Sequence, residues 1–340
     1  MNQTIIIAEA GVNHNGDIET AKRLIDVASD AGADYVKFQT FKADRLVSPS
    51  AQKAKYQIKN DKNNEDSQLN MLKKLELSDA DHKDLISYCE SKNIKFFSTA
   101  FDEEGISYLS SLNFDMFKIP SGELTNFPYL RAIAKTGLPV ILSTGMANLD
   151  DIEKSINVLV SFGTKKNEIT VLHCNTEYPT PMSDVNLKAM LTIKKTFDVK
   201  IGYSDHTLGT EVPIAAVALG AKVIEKHFTL DRNMEGPDHK ASLEPNELNE
   251  MVIAIRNIEK AINGNGIKEA SSSEKKNIHI ARKSIHLFRD LKCGSKITEK
   301  DIISLRPGDG ISPMNSENII GKEINKDLKK FAKLTFKDLL

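Results

Sequence analysis

The 340-residue chain has few cysteines, no charge imbalance and no long apolar run. Its three cysteines, Cys89, Cys174 and Cys293, are too few and too scattered for a disulfide-stapled secreted fold, and no C-x-x-C pair is present. With 46 basic and 47 acidic residues the net charge is -1, so the basic excess of a nucleic-acid binder is missing. No apolar stretch approaches the roughly 18 residues that span a bilayer, which argues against a membrane protein. The first residues, Met1-Asn2-Gln3-Thr4-Ile5-Ile6-Ile7, have neither the basic region nor the apolar core of a signal peptide. The expectation is a cytoplasmic protein of average globular composition and, from its length, two or three domains.

What the chain does have is a repeated alternation of short apolar runs and helical patterns. Eight runs read as strands: 4–11, 34–40, 95–101, 115–123, 139–145, 169–179, 199–206 and 222–229. Their near-continuous apolar cores suit parallel strands covered on both faces. Between them lie stripes at helical spacing. One is Ala21, Leu24, Ile25 and Ala28 before Gly32; another is Ile152, Ile156, Leu159 and Val160 before Gly163. Eight βα units predict an α/β fold, a closed (β/α)8 TIM barrel. The long segment 41–94, rich in Lys and Asn around 52–68, reads as an insert after the second strand on the face where barrel active sites sit. A last helix is expected from about Pro245 to Ile262. The barrel then covers 1–265 and a linker covers 266–279. A small, β-rich unit follows at 280–340, too short to be more than marginally stable alone.

Nearly every strand closes on residues able to do chemistry. Glu9 ends the first; Lys37 and Gln39 lie on the second; Ser98 and Thr99 on the third; Lys118 and Ser121 on the fourth. Ser143 and Thr144 end the fifth, and Thr176 and Tyr178 follow the sixth. Ser204, Asp205 and His206 end the seventh, and Glu225 and His227 the eighth. Buried charges are costly without partners, so a ring of them at one mouth reads as a site. His206 and His227 end adjacent strands, about 4.8 Å apart, close enough to share one divalent ion at about 2.1 Å each; the alternative is a pair of core histidines. With oxygen-bearing substrates such a site suits Mn²⁺, Mg²⁺, Co²⁺ or Zn²⁺. Lys37 and Lys118 suit an anion cradle, a Schiff base or structural pairing with Glu9 or Glu225.

Several ordered motifs carry a family resemblance: Glu9-Ala10-Gly11-Val12-Asn13-His14-Asn15-Gly16, Val36-Lys37-Phe38-Gln39-Thr40, Lys118-Ile119-Pro120-Ser121-Gly122-Glu123, Tyr178-Pro179-Thr180-Pro181, Ser204-Asp205-His206-Thr207 and Glu225-Lys226-His227-Phe228-Thr229. With Gly236-Pro237-Asp238-His239 they resemble the sialic acid synthase family over essentially the whole chain. Arg306-Pro307-Gly308-Asp309-Gly310-Ile311-Ser312-Pro313 resembles its antifreeze-like (SAF) module. The resemblance implies a metal-dependent condensation of phosphoenolpyruvate with an N-acyl amino sugar and water. N-acetylmannosamine giving N-acetylneuraminate is the first reading. 2,4-Diacetamido-2,4,6-trideoxymannose giving N,N'-diacetyllegionaminate is the alternative.

By the same resemblance, His206 and His227 hold the metal, most often Mn²⁺, with Mg²⁺ or Co²⁺ as substitutes. Lys37, Thr99, Lys118, Ser121, Thr176 and Ser204 match phosphoenolpyruvate positions. Gln39, Phe101, Tyr178, Glu225 and Asp238 match sugar positions, and Glu9, Tyr178 and His227 the reacting centre. A domain-swapped homodimer is implied, with Arg306 reaching the partner's substrate. The chain departs from the family pattern at Ala100, where proline is usual, and at Asn175-Thr176, where some members have Thr-Asn. Two further readings stand outside the resemblance: a Schiff-base lyase, and a non-catalytic glycan-binding barrel.

Overall fold

The computed structural model describes residues 3–54, 57–58 and 67–340, and they divide into two compact units, Met1–Asn263 and Gly264–Leu340. The first is built on eight strands: β1 (Ile5–Gly11), β2 (Tyr35–Thr40), β3 (Lys95–Ala100), β4 (Phe117–Ile119), β5 (Val140–Ser143), β6 (Ile169–Cys174), β7 (Lys200–Asp205) and β8 (Val223–His227). The strand pairings among them are parallel, in the order β3-β2-β1-β8-β7-β6-β5-β4. β3 and β4, the two ends of that order, lie side by side. The Tyr129 hydroxyl donates to the Ala100 carbonyl at 2.8 Å across this seam. The expected barrel is therefore present, with each strand within a few residues of its sequence assignment.

Two apolar clusters follow from the two-residue period of a strand. One face of the strands packs on the surrounding helices through residues such as Ile6, Val36, Phe117, Val171 and Ile224. The other fills the floor of the lumen with Ile7, Tyr35, Phe97, Met116, Ile141, Leu172 and Val223. Side chains two residues further along each strand stand one layer higher in the lumen, and there the apolar pattern stops.

The helices keep their expected faces with one correction. Helix Ile18–Asp30 buries Ala21, Leu24, Ile25 and Ala28, with Asp17 accepting from the Thr20 amide at its N-cap. Helix Leu149–Ser161 buries Ile152, Ile156 and Leu159 but leaves Val160 exposed. Its inward face is centred between Ile152 and Leu159 and takes in Ser155, whose hydroxyl donates to the Leu124 carbonyl at 2.7 Å. At 100° per residue, Val160 is turned about a quarter circle from that centre. Helix Pro245–Ile262 has the expected bounds.

After β2 come helices Ala43–Leu46, Gln68–Lys73 and Asp79–Ser91. Much of the Lys/Asn-rich stretch around 52–68 lies outside the described residues. No described helix is long and apolar enough to cross a membrane. The second unit has a helix, Ser272–Ala281, that takes up much of the stretch 266–279 read as a linker and runs two residues past it. It also has an antiparallel pair, β9 (Ser284–Leu287) with β10 (Ile302–Leu305). Its own core includes Ile285, Leu287, Ile311, Ile319, Ile324 and Leu334.

Candidate active site

Every residue matched to a substrate, metal or reacting-centre position except Arg306 lines one cavity of about 290 Å³ at the C-terminal ends of the strands. Arg306 belongs to the second unit, where its Nε donates to the Ala281 carbonyl at 3.0 Å. Strand parity decides which of the strand-end residues enter the cavity. Glu9, Lys37, Thr99, Lys118, Ser143, Cys174, Ser204 and Glu225 do; Ser98, Thr144 and Asp205 do not. Ser98 hydrogen-bonds Thr40 at 2.7 Å, and the Thr144 hydroxyl donates to the Leu172 carbonyl at 2.9 Å. Asp205 pairs with Lys226, both side chains fully buried. Reading these three as part of the ring is corrected by the alternation of side chains along a strand.

The layer above the apolar floor is an ion-pair network. Lys37 Nζ lies 2.9 Å from Glu9 Oε2 and 3.5 Å from Glu225 Oε2, and donates to Thr99 Oγ1 at 2.9 Å. Lys118 Nζ lies 3.3 Å from Glu225 Oε1, which also accepts from the Ser204 hydroxyl at 2.9 Å. Glu225 thus sits among the residues expected to hold phosphoenolpyruvate as well as beside the sugar positions. Both lysines and both glutamates are buried.

Burial raises the pKa of Glu9, and the neighbouring Glu225 charge adds to it against the pull of Lys37. For Glu225 burial works the same way, but Lys118 and Lys37 outweigh it and the net direction is down. Lys37 is likewise desolvated, yet Glu225 and Glu9 hold its pKa up. Burial pulls that of Lys118 down.

One layer outward are the two imidazoles, with ring centroids 5.4 Å apart. His206 Nδ1 donates to the Asn175 carbonyl, which leaves the Nε2 lone pair facing the Tyr178 hydroxyl at 2.8 Å. Tyr178 also stacks on His206, centroids 4.0 Å apart. His227 Nδ1 is buried with no hydrogen-bond partner among the described residues. Gly11, at φ +53°, leaves room for this ring, since a Cβ there would stand 3.3 Å from both His227 Cε1 and Glu9 Oε1. Burial lowers the pKa of His206 to about 4 and that of His227 well below the usual value, so both rings are neutral near pH 7.

A neutral, carbonyl-oriented His206 and an orphaned nitrogen on His227, on rings this close, fit a shared divalent ion. No cluster of three or more His, Cys, Asp or Glu suited to a metal occurs among the described residues, so the remaining positions would fall to water or substrate. His173 packs instead, its Nε2 hydrogen-bonded with the Val185 carbonyl at 2.9 Å and its ring against Tyr203.

Ser121 Oγ accepts from the Gly145 amide at 2.9 Å, and Thr176 lines the same side. Gln39 Nε2 stands 3.5 Å from Glu9 Oε1. Asp238 lines the mouth, and burial alone raises its pKa to about 6. Sequence reasoning missed Cys174, which carried the right parity on β6. It also missed an apolar side of the cavity made by Val12, Met71, Leu72 and Leu75, which no motif marked.

Comparisons with known proteins agree with this architecture. A profile of the NeuB family matches residues 24–268, and one of the SAF domain matches residues 282–340. An N,N'-diacetyllegionaminic acid synthase of Campylobacter jejuni is 55% identical over 97% of this chain and 98% of its own length. One from Legionella pneumophila is 48% identical over 95% and 91%. The crystal structure of an N-acetylneuraminic acid (sialic acid) synthetase from Leptospira borgpetersenii, in complex with citrate, superposes with a TM-score of 0.72. It is 36% identical and covers 82% of this chain and 90% of that one. Both the sequence motifs and the barrel they build place the chain in the NeuB family, with a SAF domain following.

Proposed function

We propose that the chain condenses phosphoenolpyruvate with 2,4-diacetamido-2,4,6-trideoxymannose and water to give N,N'-diacetyllegionaminate and inorganic phosphate. The observation that carries this reading is the 55% identity to a legionaminic acid synthase over nearly the whole chain. It moves the acceptor from N-acetylmannosamine, the first reading of the sequence, to the alternative kept beside it.

In this reading Lys37, Lys118, Thr99, Ser121, Thr176 and Ser204 hold the phosphate and carboxylate of phosphoenolpyruvate. The incoming anion takes over the lysines from Glu9 and Glu225, and binding fixes the two reacting carbons together. His206 and His227 would hold a divalent ion, Mn²⁺, Mg²⁺ or Co²⁺, which when bound would supply Lewis-acid polarisation of the acceptor's aldehyde. The C2=C3 pair of phosphoenolpyruvate forms the new bond to the aldehyde carbon, whose oxygen gains a proton, and C2 is left cationic. Glu9 stabilises that charge and removes a proton as water adds to C2. Cleavage of the bond between C2 and the phosphate oxygen then expels phosphate, which takes the remaining hydroxyl proton, and leaves the ketone.

Gln39, Phe101, Tyr178, Glu225 and Asp238 orient the sugar. The protein acts in the cytoplasm as a homodimer in which the SAF domain of one copy caps the other's barrel, so that Arg306 meets the partner's acceptor.

The test is product mass after incubation with phosphoenolpyruvate, Mn²⁺ and each sugar. The legionaminate mass from the diacetamido sugar is expected. Neuraminate from N-acetylmannosamine alone overturns the acceptor, and no phosphate release with either sugar overturns the reaction class.

A further inference from the structure

We propose that the apolar wall of Met71, Leu72 and Leu75, with Val12 and Phe101, selects the acceptor by receiving the C6 methyl and the 4-acetamido methyl of a 6-deoxy sugar. The inference rests on the acceptor class proposed above and names what recognises it.

The cavity has two unlike sides. Its inner part carries the lysines, the glutamates and the two imidazoles, so the reacting carbons meet there. The far end of a hexose chain then extends toward the mouth. Tyr178 and Asp238 form one side of that mouth. The other is an apolar cluster in which Val12, Phe41, Met71 and Leu75 are buried, with Leu72 and Phe101 packed against them.

This side is supplied by the insert after β2. Helix Gln68–Lys73 is capped by Ser67 and seated tightly on the loop after β1. A Cβ on Gly16 would stand 2.2 Å from the Lys74 carbonyl, so the two backbones touch and the wall is held in place. The Phe41 and Phe101 rings meet edge to face at 6.0 Å.

The five wall side chains carry no hydroxyl, amide or charge. N-acetylmannosamine would present hydroxyls at C4 and C6, which would lose water there without gaining a partner. A 6-deoxy, 4-acetamido sugar presents methyl groups at those places, and its amide N–H and C=O, set back from the acetamido methyl, are left to the polar side of the mouth. One such group in an apolar pocket discriminates by roughly 10- to 200-fold.

The experiment compares kcat/KM for the two acceptors, with Mn²⁺ and saturating phosphoenolpyruvate, in wild type, Leu72→Asn, Met71→Gln and the volume-conserving Met71→Leu. The two polar variants are expected to lower the preference for the diacetamido sugar by roughly 10- to 200-fold per position. KM for phosphoenolpyruvate and the melting temperature should hold, and Met71→Leu should keep the wild-type preference. Leu72 is only half-buried, so Leu72→Asn carries the test if the change at Met71 costs the fold. An unchanged preference in a folded polar variant, or equal losses on both acceptors, overturns the inference. A wild-type protein that turns over only N-acetylmannosamine overturns the acceptor class itself, before any variant is compared.

Discussion

Glu225 and Lys226 are neighbours in sequence, yet each belongs to a different buried ion network, and the two networks differ in kind. Lys226 points out toward the helix layer. Its Nζ donates to Asp205 Oδ2 and to the Thr207 carbonyl, and Asp205 accepts from the Thr207 amide and hydroxyl at 3.0 Å each. One cation meets one carboxylate, and both are sealed from solvent. Glu225 points into the lumen and is shared between Lys37 at 3.5 Å and Lys118 at 3.3 Å, while Lys37 also serves Glu9. That network borders a cavity. A closed pair with its hydrogen bonds satisfied holds strand ends; a shared, looser one can exchange a carboxylate for an incoming anion.

The comparison can be broken by removing groups on each side. His227→Ala, on the lumen side, should lower turnover by about 10³-fold or more, the scale of losing a group that stabilises developing charge. Its buried Nδ1 has no hydrogen-bond partner among the described residues, so unfolding free energy should move by about 1 kcal/mol or less. Phosphate release and a urea melt measure the two effects; full turnover after exhaustive metal-free dialysis would contradict the metal role. Lys226→Met should act in the opposite sense, costing about 3–5 kcal/mol of stability because Asp205 is left buried and unpaired. Lys37→Met should cost less, since Glu225 keeps Lys118 and Glu9 already leans toward its neutral form, but it should strip the site of phosphoenolpyruvate affinity. If urea unfolding ranked Lys37→Met as the more damaging, the distinction between closed and shared pairs would fail.

The contrast also explains what was legible in the sequence. The strands announced themselves because their cores are apolar on both faces, and the helix Pro245–Ile262 because its stripe is long. Site residues were legible as strand-end chemistry, but a composition of strand ends does not carry direction. Ser98, Thr144 and Asp205 were grouped with the ring until parity turned them outward. Val160 was misassigned because Ser155, a polar residue with a backbone partner, completes the buried face instead. The apolar wall was hidden for a different reason: it joins Val12 to Met71, nearly sixty residues apart in the chain, and only the seating of the insert brings them together.

The smallest expected effect concerns Asp238, a carboxylate at the lumen mouth whose pKa is raised from 3.8 to about 6 by burial alone. It lacks the cation that lowers the pKa of Glu225. Below about pH 4 the group is protonated in both folded and unfolded chains. Between pH 4 and 6 the unfolded chain releases its proton while the folded one retains it, so this group's contribution to stability falls as pH rises and is flat above that window. Asp238→Asn removes the titration. Relative to wild type, the variant should gain about 1–3 kcal/mol between pH 4 and pH 7.5, measured as the difference in urea unfolding with EDTA present. Other titrating groups largely cancel in that difference. A difference that stayed level across the window would mean that Asp238 is ionised in the folded protein at acid pH, with a partner or water stabilising it, and the lumen mouth would then belong with the closed networks rather than the open one.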